Sequence, residues 1–477
     1  MKKLLLSCLV CLLAIGVTSA KDEGYHITIT IKGYSNKKFF MGYYFGDKQY
    51  LRDSAYCDKG GKMVFKGPKE LEGGVYLIAS VEKNLMFDFV VTEQVFSLET
   101  DSADIIKSMK IKGSPENEVF FSYTRYTTIM GKEAMKIEEE MKPAKEKNDT
   151  SQTRILTERY RKITGDLMEY RKSIQTQYPN MLISKIFKMM VEIDVPPAPK
   201  NDKGEIIDSN FQYNYYYHHY FDNFDWPDSR IVRTPVFHQK MEYFMLKLTP
   251  QVPDSIIKSA DYLLKLAEPG KENFKYCLFW VTNHYETSNY MGMDKVFVHM
   301  VDEYYAKKKA FWVDETLLLK MKDAADMQRG GLMGNKAPNL NMMDTNNIYH
   351  SLYNIKANYT LVIFWDANCG KCKEELPKLK TLYEEINPKG AKSLYFDVFG
   401  VSLTPDSKEW QKYLREHRYP WLNLYDPNNE TNFRRLYNIT SSPVLYLLDK
   451  NKKIIAKRLN VEQLREFIKE YEKLHAE

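Results

Sequence analysis

The chain has 477 residues, 44% of them hydrophobic, and a formal net charge of +6 at neutral pH. That length predicts two to four domains, and the hydrophobic share is that of a globular protein, which excludes wholesale disorder. Without Lys2 and Lys3 the chain holds 67 basic against 63 acidic residues, a dispersed +4 that gives no basis for nucleic-acid binding.

Residues 1–20 read as a secretory signal peptide. Lys2-Lys3 form the positive start, Leu4–Val17 is an apolar run too short to span a bilayer comfortably, and Thr18-Ser-Ala20 offers a small-residue cleavage site. Cys8 and Cys11 lie inside this segment and are expected to leave with it. Cys8 follows Leu-Leu-Ser, a faint lipoprotein-type signal preceded by a very short apolar run. No later segment is long and apolar enough to act as a transmembrane helix. The mature chain is therefore expected to be exported, soluble or peripherally attached, and periplasmic if the host is Gram-negative.

Residues 21–117 are expected to form a small antiparallel β-sandwich. Tyr25-His-Ile-Thr-Ile-Thr-Ile and Val75-Tyr-Leu-Ile-Ala-Ser alternate in period two, and Asp58-Lys-Gly-Gly61, Lys66-Gly-Pro68 and Glu72-Gly-Gly74 break the runs. Gly113-Ser-Pro-Glu-Asn117 is a turn followed by a helix start. Residues 118–329 predict a mainly helical middle domain, with a loop near Asn148-Asp-Thr-Ser151 and a stop at Val195-Pro-Pro-Ala-Pro199. Within it, Tyr213–Tyr220 and Phe221–Trp226 are rich in aromatics. His218, His219 and Asp222 suggest a metal, but adjacent histidines point to different helix faces and no ligand pair sits four residues on. Packing of these rings into an interdomain core is the reading favoured here; docking of an unfolded client is the alternative.

Residues 330–477 alternate β and α. Strand Thr360–Trp365 leads into helix Gly370–Ile386, followed by strand Ser393–Val401, helix Ser407–Arg418, an extended Trp421–Leu424 and helix Glu430–Tyr437. A hairpin of Val444–Leu448 with Lys453–Lys457 and a final helix Val461–Leu474 complete an α/β domain whose parallel strands require helical crossovers. The fold class is therefore multidomain: β-sandwich, mainly α middle, α/β end.

The most informative run is Phe364-Trp-Asp-Ala-Asn-Cys-Gly-Lys-Cys372. It delivers two cysteines from the end of a strand to the start of a helix. Half of a zinc site has the same spacing, but no second pair completes a four-ligand set, so no metal and no cofactor beyond a redox-active disulfide is expected. Cys57 and Cys277 stand alone and read as unrelated buried cysteines. With Cys369 at the helix N-cap, Cys372 lies one turn on along the same face, and the pair closes a disulfide without backbone rearrangement. The positive end of the helix favours the thiolate. Cys369 is the expected nucleophile and Cys372 the resolving thiol; Lys371 adds positive charge from a solvent-facing position.

These residues resemble the thioredoxin-like proteins of the TlpA/ResA type. Phe364-Trp365 before the cysteines, Glu375 and Pro377 after them, Gly334-Asn-Lys-Ala-Pro338 upstream and Ser441-Ser-Pro443-Val-Leu-Tyr-Leu-Leu-Asp449 downstream carry the resemblance over roughly 334–477. It implies an exported thiol–disulfide oxidoreductase acting on disulfide-containing client proteins, re-reduced by a membrane or periplasmic thiol donor. It implies that Pro443 faces the disulfide from a cis peptide bond, that Glu375 manages protons near the thiols, and that Trp365, Asn368, Ser442 and Pro443 contact the client. The chain departs from the family's pattern at Asn368, where Trp is usual, and at Gly370-Lys371, where Pro is usual. Gly370 and Lys371 tune the potential, so the direction of electron flow stays open. The β-domain resembles one found ahead of thioredoxin domains in exported Bacteroidetes proteins, and the helical region resembles their uncharacterised middle domain. A thioredoxin-fold peroxidase and a non-catalytic binding protein are the alternative functions.

Overall fold

A computed structural model of the chain describes residues 24–82, 85–288, 290–387, 394–404 and 406–475. The expected signal peptide, its lipoprotein alternative, Cys8 and Cys11 lie outside the described residues. The chain divides into two compact units, Met1–Glu242 and Tyr243–Glu477.

The first unit opens with strands β1 (Tyr25–Lys32), β2 (Lys38–Phe45), β3 (Lys48–Tyr56), β4 (Lys62–Gly67), β5 (Gly74–Ser80), β6 (Met86–Val91) and β7 (Val95–Asp101). A short helix α1 (Ile105–Ser108) and strand β8 (Lys110–Lys112) follow. The strands form two four-stranded sheets, in the orders β4-β1-β7-β8 and β3-β2-β5-β6. Period-two alternation sends Tyr25, Ile27, Ile29 and Ile31 inward from β1, where they meet Phe39, Met41, Tyr76 and Phe89 in one core. The antiparallel expectation is corrected at one pair: β1 and β7 run parallel, with His26 opposite Val95. Parallel neighbours cannot be joined by a tight turn, and here the intervening strands β2–β6 supply the long connection.

Helix α2 (Pro115–Glu146) starts where the sequence predicts, with Ser114 accepting the Asn117 N–H and Pro115 at the first helical position. The Asn117 amide accepts the Val90 N–H at 2.8 Å and donates to the Val90 carbonyl at 2.7 Å, which covers the outer edge of β6. Asp149 caps α3 (Thr150–Gln177), and α2 and α3 share a core of Ile137, Ala144, Leu156 and Ile163. Helices α4 (Leu182–Met189), α5 (Phe211–His219) and α6 (Pro235–Tyr243) come next. The aromatic stretch splits. No residue of α5 is fully buried, and its His219 pairs with Asp222 at 2.6 Å. Tyr220, Phe221, Phe224 and Trp226 are buried, and Phe224 and Trp226 pack on Phe237. These rings pack on one another as well as on Phe237.

The second unit begins with helices α7 (Pro253–Ala267), α8 (Lys271–Glu286), α9 (Asp294–Met300) and α10 (Glu315–Arg329). Strands β9 (Asn341–Met343) and β10 (Tyr349–Ser351) form a small hairpin that period-two reading missed because each strand has only three residues. Then come β11 (Tyr359–Trp365), α11 (Gly370–Ile386), β12 (Phe396–Ser402), α12 (Ser407–His417), β13 (Leu422–Leu424), α13 (Phe433–Leu436), β14 (Val444–Leu448), β15 (Ile454–Lys457) and α14 (Val461–His475). The expected helix at 430–437 shrinks to α13, with Asn432 in the left-handed region just before it. The sheet order is β13-β12-β11-β14-β15, with β11–β12 and β12–β13 parallel and β11–β14 and β14–β15 antiparallel. All seven residues of β11 are buried, as an unbroken apolar run covered on both faces should be. Leu361, Ile363 and Trp365 meet α11 and α14 on one face; Val362 and Phe364 meet Leu340, Phe433 and Tyr437 on the other.

Helices α2 to α5 fall in the first compact unit with the β-sheets, and α7 to α10 in the second with the α/β domain. Close contacts explain the second attachment. A Cβ at Gly330 would lie 2.4 Å from the Leu436 carbonyl oxygen, so only glycine fits there. The Lys457 ammonium, buried on β15, pairs with Asp294 of α9 and donates to the Gly331 carbonyl at 2.6 Å. Burial holds that ammonium below its usual pKa despite Asp294. Among the described residues no helix is long and apolar enough to cross a membrane.

Lys457→Met strands the Asp294 carboxylate and is expected to cost about 3–5 kcal/mol, whereas adding Asp294→Leu should restore most of the loss. Urea midpoints of both single variants and the double variant test this; a double-variant loss equal to the sum of the single losses would mean that the two groups are not coupled.

Candidate active site

Strand β11 ends at Trp365, and a tight loop carries the chain into α11. Asp366 organises that loop. Its carbonyl accepts the Cys369 N–H at 3.1 Å, and its carboxylate accepts the Asn368 N–H at 2.9 Å and the Thr404 hydroxyl at 3.2 Å. Thr404 in turn accepts the Ala367 N–H at 2.9 Å. The loop is therefore hydrogen-bonded to the segment after β12 as well as to itself, which fixes the direction of the helix start.

Cys369 is the N-cap residue of α11, and its sulfur accepts the Cys372 N–H at 3.2 Å. A helix start leaves N–H groups unpaired, and a side-chain acceptor satisfies one of them. Here that acceptor is sulfur. Cys369 is partly exposed and Cys372 is fully buried one turn along. Burial alone would raise the Cys369 pKa. Hydrogen bonds from Cys372, from Ser442 and from the Cys372 and Lys371 backbone outweigh it, and the thiol falls below its ordinary value of 9.0. Burial, joined by the hydrogen bond and charge of Cys369, pushes the Cys372 thiol up to about 12. The two sulfurs thus have separate environments: an accessible one whose ionisation is favoured and a sheltered one whose ionisation is opposed.

Ser442-Pro443 is a cis peptide, and the Ser442 carbonyl oxygen lies 3.5 Å from the Cys369 sulfur. The loop before β14 therefore faces the couple. Glu375 is buried, unlike the solvated Glu374 beside it. One Glu375 oxygen accepts the buried Val461 N–H at the start of α14, at 2.9 Å. The other lies 3.4 Å from the Lys378 ammonium and 3.8 Å from that of Lys371. Among the described residues no hydrogen bond joins Glu375 to either sulfur, so its evident contacts tie α11 to α14.

The remaining expected site residues separate. Trp365 is wholly buried and packs on Tyr413 and Tyr419, where it floors the loop. Its position as the last residue of an all-buried strand is the reason. Asn368 is exposed, and its side-chain amide donates to Glu409 of α12 at 2.9 Å. Lys371 is exposed and pairs with Glu374 at 3.2 Å. A Cβ on Gly370 would meet open space, so nothing in the packing demands glycine there. Asp366 and Thr404 were not singled out from the sequence; an Asp three residues before the first cysteine was the available signal for one, and nothing local marked the other. Cys57 and Cys277 are separate buried free thiols. Among the described residues no cluster of three metal-ligating side chains occurs.

The thioredoxin-like family matches residues 357–454, and two domain families of unknown function match residues 144–329 and 25–120. A thiol-disulfide oxidoreductase ResA from Bacillus thuringiensis subsp. konkukian is 23% identical over 139 residues, which is 29% of this chain and 76% of that protein. The crystal structure of a domain of a possible thiol-disulfide isomerase from Cytophaga hutchinsonii is 43% identical; the match covers 30% of this chain and 94% of that one, with a TM-score of 0.28. A thioredoxin-like protein from Bacteroides caccae is 20% identical, covering 60% of this chain and 99% of that one, with a TM-score of 0.43.

Alkylation of the reduced protein by iodoacetamide should label Cys369 with a midpoint below 9.0, the ordinary thiol value, while Cys372 stays unmodified in that range. Mass spectrometry across pH reads both. A Cys369 midpoint at or above the ordinary value would contradict the geometry. Glu375→Ala should cost about 1–3 kcal/mol by leaving the Val461 N–H unsatisfied, and Glu375→Gln, which keeps an acceptor, should cost less. Equal costs in denaturant melts would remove the helix-tying role.

Proposed function

The C-terminal domain of this chain belongs to the thioredoxin-like family, and on that premise we propose that the protein is an exported thiol–disulfide oxidoreductase whose centre is Cys369-Gly-Lys-Cys372. The observation that carries the reading is the split between the two sulfurs: a partly exposed one at the helix cap that accepts the Cys372 N–H, and a fully buried one a turn beneath it.

The Cys369 thiolate attacks one sulfur of a client disulfide. A Cys369–client bond forms, the client S–S bond breaks, and the second client sulfur leaves as a thiolate that takes up a proton. The Cys372 thiol then gives up its proton and attacks Cys369. That closes the Cys369–Cys372 disulfide and expels the first client sulfur. Two electrons pass to the client, and a dithiol donor in the same compartment must return them. The high pKa of Cys372 delays its attack until a mixed disulfide next to it removes the Cys369 charge. Ser442 and Pro443 border the attacking sulfur and form the wall against which the client chain lies. Glu375 is near enough to Lys371 to influence the motif's charge, and its role in proton movement is part of this proposal. The domains before 330 select or position clients.

Stabilising the Cys369 thiolate stabilises the reduced form, so the couple should be more oxidising than one with an ordinary thiol. Equilibration with glutathione measures where it falls on the scale from the reducing end at about −270 mV to the oxidising end at about −120 mV, and a value at the reducing end would contradict this. Cys369→Ala should abolish insulin reduction, whereas Cys372→Ala should accumulate mixed disulfides that dithiothreitol releases. Wild-type turnover by Cys369→Ala would end the enzyme reading and leave the non-catalytic binding alternative.

A further inference from the structure

The groove beside Cys369 carries charge that disulfide exchange itself does not require. It has a volume of about 330 Å³, and its walls include Lys371, Glu375, Ser442, Pro443, Arg458 and Asn460. Because the Cys369 sulfur lies 3.5 Å from the Ser442 carbonyl oxygen, the reacting atom sits at the edge of this groove. The volume falls within the range of about 300–1,000 Å³ typical of small-ligand clefts.

Three ionisable side chains line it, and two are already engaged. The Glu375 carboxylate is buried and bonded to the Val461 N–H and to Lys378. Lys371 is shared between Glu374 and Glu375 at 3.2 and 3.8 Å. Arg458 differs from both. It is exposed, and among the described residues its guanidinium has no hydrogen bond or ion pair. Its backbone, however, is held firmly. The Arg458 N–H donates to the Leu445 carbonyl at 2.8 Å, and its φ of 58° aims the chain out of the β14–β15 ladder. Leu445 is two residues after Pro443 and lines the same groove. A free guanidinium anchored to the strand behind the proline loop is poised for a planar acceptor, because its fork of donors matches a carboxylate.

We propose that Arg458 is a specificity residue that favours substrates carrying a carboxylate next to the reacting sulfur. That carboxylate is either an Asp or Glu side chain beside a client cysteine, or the carboxylate of a small thiol or disulfide. The inference rests on the Cys369–Cys372 reading above. Lys371 and Lys378 are each shared with a second carboxylate, Glu374 at 3.2 Å and Glu462 at 3.0 Å, so among the described residues Arg458 is the cation of the groove wall that no carboxylate engages.

The test uses the reduced full-length mature chain and the rate at which Cys369 consumes matched disulfides. One pair is a peptide disulfide with Glu or Gln beside the cysteine. The other is dithiobis(nitrobenzoate), which carries carboxylates, against the neutral dipyridyl disulfide. The readout is the ratio of anionic to neutral rate constants. Arg458→Gln should lower that ratio about three- to fivefold at low salt, the size expected of an exposed charge pair. Arg458→Lys should keep most of it, and about 0.5 M salt should shrink it in the wild type. A fall confined to the peptide pair identifies an acidic client segment; a fall confined to the small pair identifies a low-molecular-weight thiol. A ratio unchanged by Arg458→Gln in both pairs overturns the inference and leaves the redox couple intact. A wild-type Cys369 that reacts with neither pair removes the redox reading and this inference together.

Discussion

A sulfur atom serves as the helix cap of α11, and the chemistry of the site depends on that one contact. The start of the helix needs an acceptor for its unpaired N–H groups, and the Cys369 sulfur takes the Cys372 N–H at 3.2 Å. The bond that stabilises the helix therefore also stabilises negative charge on the nucleophile. The same turn buries Cys372, where loss of a proton is disfavoured. One turn of helix thus produces both an attacking and a waiting thiol.

A cap works only if its position is rigid, and the surroundings supply that rigidity without touching the sulfurs. Strand β11 is buried along its whole length, so the loop starts from a fixed point. Asp366 and Thr404 close the loop, Trp365 fills the space below it, and Glu375 fastens α11 to the start of α14. Where the resembled family carries Trp before the first cysteine, this chain has Asn368, whose amide reaches Glu409. The rim of the site is consequently polar on that side.

The compact unit that holds the couple is larger than the thioredoxin-like stretch. It begins at Tyr243, whereas the family match begins at 357. Helices α7 to α10 are joined to the sheet through Lys457 and Asp294 and through the close approach at Gly330. A buried ion pair adds little net stability over a well-packed apolar pair, but an incorrectly docked helix would leave two buried charges unpaired. The pair thereby restricts the docking of α9 against β15 to one arrangement.

Several features were legible in the residues alone, because they depend on local rules. The period-two strands, the Ser114-Pro115 helix start, the unbroken apolar β11 and the cysteine spacing all follow from neighbours within a few positions. The parallel pairing of β1 with β7, the division of the helices between two units and the three-residue hairpin did not follow, because each is decided by partners far away in the chain. The same distinction runs through the site. Cys369 and Cys372 announce themselves by spacing. The full burial of Trp365 is a property of the packed fold, and Arg458, 86 positions beyond Cys372, reaches the groove only through the β14–β15 ladder. Short-range chemistry is written along the chain; exposure, charge balance and the company each side chain keeps arise only when distant segments are brought together.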